Sequence, residues 1–129
     1  MATGPKPRVV IAGASGFVGQ ALAPALAEDF QVIGLSRSKR EAGGGFAEYR
    51  SCDLFSLKEA EAALEGAEYA VYLVHNMMPT TRLTQGSFAA LDVVCADNFA
   101  RAAAAAGVKQ IVFLGGLLPT DGQLSAHLQ

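Results

Sequence analysis

The sequence has few of the groups from which scaffolds and metal sites are built. Two cysteines, Cys52 and Cys95, are too few for a disulfide framework and lack metal-ligand spacing. Charged residues make up only 17%, ten basic against twelve acidic, for a net charge of -2. That balance does not favour nucleic acid or an anionic membrane surface, both of which attract clustered positive charge. There is also no clean apolar run. The longest apolar stretch, Phe88 to Val108, contains Asp92, Asp97, Asn98 and Arg101, groups too costly to place in hydrocarbon. The opening Met-Ala-Thr-Gly-Pro-Lys-Pro-Arg leads into a short β-branched run with neither a signal-peptide core nor a cleavage site. The expectation is a cytoplasmic domain with reduced thiols, binding neither nucleic acid nor membrane.

Apolar residues, at 51%, are plentiful, so the 129 residues should bury a real core as one domain over 1–129. Arg8–Ala12 (RVVIA), between Pro7 and Gly13, reads as a buried strand. A helix follows over about Gly16–Glu28, with Phe17, Val18, Leu22, Ala25 and Leu26 as its apolar face; Pro24 should bend it. Gln31–Leu35 is a second strand, and the basic, glycine-bearing stretch Ser36–Phe46 is a loop. Ala47–Ser51 is a weaker third strand. Ser56-Leu57-Lys58-Glu59 has the form of a capping box opening a short helix that stops at Gly66. Tyr69–Val74 is a fourth strand. Phe88, Leu91, Cys95, Phe99, Ala102 and Ala106 make one stripe of a long helix over about Ser87–Ala106, ended by Gly107. Gln110–Leu114 is a fifth strand.

Strands alternating with helices imply parallel pairing through right-handed crossovers, hence a doubly wound α/β sheet of Rossmann type. The expected order is 3-2-1-4-5, with helices on both faces. Ligands bind such sheets at the carboxyl ends of the strands, where the winding reverses, so the loops after Ala12, Leu35, Val74 and Leu114 should share one functional rim.

The first of those loops carries the chemistry. Gly13-Ala14-Ser15-Gly16-Phe17-Val18-Gly19 leaves a strand and opens a helix, where backbone N–H groups can cradle a diphosphate. Gly13 permits the tight turn, Gly16 lets phosphates approach the backbone, and Gly19 lets helix and strand pack closely. A dinucleotide is the ligand such a turn suits.

At this point the chain resembles the short-chain dehydrogenase/reductase superfamily in its extended and atypical branches. The resemblance rests on the GASGFVG turn, on Cys52-Asp53-Leu54 after the third strand, and on Ala106-Gly107-Val108-Lys109-Gln110-Ile111-Val112 entering the fifth. Tyr72-Leu73-Val74-His75 and Leu114-Gly115-Gly116-Leu117 are similar to bacterial NAD(P)-binding, epimerase/dehydratase-like proteins. The resemblance implies that Ser15, Phe17 and Val18 join the three glycines at the cofactor. It also implies that Asp53 accepts from the adenine amino group beside Leu54, and that Val74 and His75 face the nicotinamide. Read alone, Asp53 is as well explained as a helix cap, and His75 more often packs or hydrogen-bonds than catalyses.

Where an NAD binder places a carboxylate after its second strand, this chain has Ser36 and Arg37, followed by Ser38, Lys39 and Arg40. A hydroxyl and a guanidinium suit a 2′-phosphate, so NADP(H) is expected over NAD(H), which stays possible; a solvated basic loop is the alternative. The resemblance further implies a catalytic tyrosine with a lysine four residues on. Tyr49, Tyr69 and Tyr72 all lack that lysine, so no catalytic residue is assigned. A sixth strand and a substrate-binding part are expected to lie outside these residues. Three readings stand: the cofactor-binding portion of an oxidoreductase or epimerase acting on a small organic substrate, a non-catalytic redox-sensing regulator, or a flavin-reductase-like protein. Ser87–Ala106 suits either a homodimer interface or packing within the chain.

Overall fold

The computed structural model describes residues 6–74 and 85–114, with side chains in the second stretch from residue 93 onward. His75, Met77, Met78, Gly115 and Gly116 lie outside the described residues. The elements run β1 (Arg8–Ala12), α1 (Phe17–Leu26), β2 (Gln31–Ser36), β3 (Glu48–Ser51), α2 (Leu57–Ala63), β4 (Tyr69–Tyr72), α3 (Gln85–Ala106) and β5 (Gln110–Phe113). About half of the element ends coincide with the sequence reading, and the others differ by about a residue or two, where element ends fray.

The five strands form one parallel sheet in the order β3-β2-β1-β4-β5, as the alternation of elements requires. Register aligns their carboxyl ends: Ala12 faces Leu35 and Tyr72, Ser36 faces Ser51, and Tyr72 faces Phe113. The central strands are apolar at consecutive positions because both faces are covered. Val9, Ile11, Val32, Val71 and Leu73 pack toward α1, together with Ala23 and Phe46. Val10, Ala12, Ile33, Leu35, Ala70 and Tyr72 pack on the other face against α2 and α3, around Leu64, Phe99 and Ala102.

The expected apolar face of α1 needs correction. The helix buries Gly19 and Ala23, with Leu22 and Leu26 half-buried, whereas Phe17, Val18 and Ala25 are exposed. The reason is distance. A Cβ on Gly19 would lie 2.7 Å from the Ala14 carbonyl oxygen, so only a glycine lets this helix lie so close to the end of β1. A hydrophobicity stripe marks large side chains and overlooks a contact made by small ones. Pro24 lies inside α1, its backbone against Gly45, where a Cβ would come within 2.5 Å of the proline nitrogen.

The capping box also differs in detail. Ser56 Oγ accepts from Glu59 N at 3.2 Å, as the motif predicts. The Glu59 carboxylate, however, accepts from Asp53 N at 3.0 Å, while Ser56 N donates to the Asp53 carbonyl. Glu59 therefore ties down the segment that leaves β3.

Candidate functional site

Parallel strands place their outgoing loops on one rim, and a cleft of about 430 Å³ opens there. Its lining comes from four strand ends and one helix. The β1–α1 turn supplies Gly13, Ser15 and Gly16. The end of β2 supplies Leu35, Ser36 and Arg37; the residues after β3 supply Cys52, Asp53, Leu54 and Phe55. Leu73 and Val74 follow β4, and Cys95 comes from α3.

The β1–α1 turn is built from its glycines. Gly13 has φ +83, a left-handed conformation that a side chain disfavours, and a Cβ there would lie 2.9 Å from the Leu73 carbonyl carbon. Gly16 is different. It is the N-cap of α1, at φ -77 and ψ 174, a conformation open to any residue. Among the described residues, a Cβ on it would meet only the Gly13 carbonyl oxygen, at 3.4 Å. As a glycine it offers no side-chain acceptor to the first N–H groups of α1, which have no partners within the helix. Among the described residues nothing requires glycine at 16, and no side chain caps the first amides of α1.

The polar groups of the other strand ends are partly engaged. Ser36 Oγ accepts from Ser38 N at 3.3 Å, and Ser51 Oγ donates to the Arg37 carbonyl at 3.4 Å. The Arg37 side chain is exposed, and no carboxylate among the described residues pairs with it. Asp53 Oδ1 accepts from Phe55 N at 3.0 Å, closing a turn of its own. Cys52 is buried at the base of this segment. Burial, and then the Glu59 and Asp53 carboxylates, push its thiol from 9.0 up to about 11, so it stays protonated near neutral pH.

Of the residues singled out from sequence, Gly13, Ser15, Gly16, Ser36, Arg37, Asp53, Leu54 and Val74 line this one cleft. Phe17, 91% exposed, and Val18 lie at the start of α1 without lining it; Gly19 is buried beneath the turn. Sequence reasoning did not assign Leu35, Cys52, Phe55, Leu73 or Cys95 to the site. Cys95, on the buried stripe of α3, is both core and cleft wall, a double role that periodicity cannot separate. Among the described residues no cluster of potential metal ligands occurs, and no helix is long and apolar enough to cross a membrane.

The family model described as NAD(P)H-binding matches residues 13–127. A curated relative, the auxiliary protein GraX of Staphylococcus aureus, is 28% identical over 113 residues, which are 86% of this chain and 37% of that protein. Among solved structures, uronate dehydrogenase from Agrobacterium tumefaciens superposes with a TM-score of 0.71 at 22% identity, over 86% of this chain and 41% of that one. UDP-N-acetylglucosamine 4-epimerase from Bacillus cereus does so with a TM-score of 0.68 at 22% identity, over 84% and 35%. At such identity the two structures speak for the fold. The chain spans well under half the length of each of these proteins.

Proposed function

The chain belongs to the NAD(P)H-binding family, and from that premise we propose that the cleft holds NADP(H) as the cofactor-binding portion of an oxidoreductase or epimerase. Gly16 carries this reading. A glycine that no described residue requires, facing a cleft beside helix amides without a side-chain cap, is accounted for by a diphosphate that needs the room. In this reading Gly13, Ser15 and Gly16 surround the diphosphate with the N–H groups of Phe17 and Val18, and Gly19 sets the depth of the turn. Ser36 and Arg37 take the 2′-phosphate. Asp53 and Leu54 meet the adenine, and Val74 and His75 lie on the nicotinamide side. The bound cofactor would supply hydride transfer; the protein supplies binding and orientation.

The small organic substrate would be held by structure beyond this sheet. In support, Val112 and Phe113 on the edge strand β5 are 49% and 50% exposed, although strands of such sheets are ordinarily covered on both faces.

The test is a fluorescence titration of the chain with NADPH and with NADH. NADPH should bind at least about tenfold more tightly, the size of one charge-assisted hydrogen bond, and Arg37→Ala should erase the difference. Preference for NADH, or no loss in Arg37→Ala, overturns the cofactor assignment. Failure of both dinucleotides at millimolar concentration overturns the site. Similarity to a relative described as an auxiliary protein favours a second reading, a dinucleotide-reporting regulator without turnover. NADPH oxidation in the presence of carbonyl substrates would decide for the enzyme.

A further inference from the structure

Tyr49, in the middle of the edge strand β3, touches more of the cleft's surroundings than its place in the sheet requires. Its ring lies against Gly34 of β2, where a Cβ would come within 2.8 Å of the ring carbons, and against Phe46 with ring centroids 4.6 Å apart. The Arg40 guanidinium sits over the ring, 5.2 Å from its centroid. Its hydroxyl accepts from Gln20 Nε2 at 3.1 Å, and the same amide nitrogen donates to the Ala14 carbonyl at 2.8 Å, inside the glycine turn. One side chain thus joins the two polar lips of the cleft, the diphosphate turn on one side and the basic loop on the other.

That loop needs an anchor. It runs from Arg37 to Phe46 and ends in Gly43, Gly44 and Gly45, all at positive φ. Its held points include the Arg37 carbonyl on Ser51 and the Arg40 guanidinium on Tyr49, and Ser51 and Tyr49 project from the same face of β3. We infer that Tyr49 is a positioning residue for cofactor specificity: by clamping Arg40 with its ring, it fixes Arg37 at the distance from the glycine turn that a 2′-phosphate requires. This rests on the dinucleotide reading above. Arg40 here is a tether, and Arg37 the group that meets the phosphate.

The experiment compares NADPH and NADH affinities of the chain with those of Tyr49→Phe, Tyr49→Leu and Arg40→Ala. Losing the clamp should lower the NADPH-over-NADH ratio about three- to fivefold, the size of an exposed cation–π contact, in Tyr49→Leu and Arg40→Ala alike. The double variant should be no worse than either, and Tyr49→Phe, which keeps the ring, should stay within about twofold of the parent. NADH affinity should hold throughout. Equal loss for both dinucleotides, which a merely structural role gives, overturns the inference; so does an unchanged ratio, or tighter NADPH binding on release of Arg40. Arg40→Ala, at an exposed position, keeps the test decisive if Tyr49→Leu does not fold. Equal affinity of the parent for the two dinucleotides overturns the phosphate reading along with this one.

Discussion

Gly13 and Gly16 stand three positions apart in one turn, and the surrounding atoms ask different things of them. At Gly13 the backbone itself is left-handed and the space is filled by Leu73. Gly13→Ala should therefore cost about 1–3 kcal/mol or more of folding stability, read as a lower denaturant midpoint at unchanged slope. Gly16→Ala should cost about 1 kcal/mol, since its backbone is ordinary and the loss is that of a poorer N-cap. Its effect should fall on binding instead. A methyl group in the space here proposed for phosphate should weaken NADPH about tenfold, as overpacking does elsewhere. A Gly16→Ala protein that binds as tightly as the parent would remove the observation on which the proposed function rests. The glycine pattern was legible in the sequence; which of its members serves the fold and which the cleft became visible only through neighbours distant in the chain.

At the scale of elements, short helix α2 shows how local chemistry shapes the end of the cleft lined by Asp53, Leu54 and Phe55. Ser56 accepts from Glu59 N and so satisfies a helix amide that has no partner within the helix. Ser56→Ala should destabilise the protein by about 0.5–2 kcal/mol in thermal or denaturant unfolding. An unchanged midpoint would mean that water caps α2 equally well. The cap itself could be read from four consecutive residues. The reach of Glu59 to Asp53 N could not, because it depends on the Asp53–Ser56 turn that folds the β3 exit back toward the helix. Helix α1 makes the complementary point. Its burial through Gly19 and Ala23 follows from how near β1 the helix lies, a distance no apolar stripe records.

At the scale of the whole molecule, Cys52 joins the β3 exit, the α2 carboxylate and the cleft wall in one titration. Burial and two carboxylates raise its pKa in the folded state from 9.0 to about 11. The unfolded thiol then loses its proton first, so this group destabilises the fold as pH rises from about 9 to about 11 and contributes no slope below that window. Cys52→Ala should flatten that part of the stability–pH curve, and an unchanged alkaline slope would show that the thiol is solvated in the fold. The order of elements, the parallel sheet and its 3-2-1-4-5 winding were all determined by the sequence, since alternating apolar runs and helix stripes can bury both faces of a sheet in few other ways. So was the presence of a glycine-rich turn between β1 and α1, marked by spacing within seven consecutive residues. Tertiary structure alone decided that Cys95, Leu73 and Phe55 wall the same cleft as the glycines, that Arg40 is clamped while Arg37 is presented, and that Tyr49 spans both lips. Each of those is a contact between residues on different elements, and its strength depends on distances set by packing rather than by spacing along the chain.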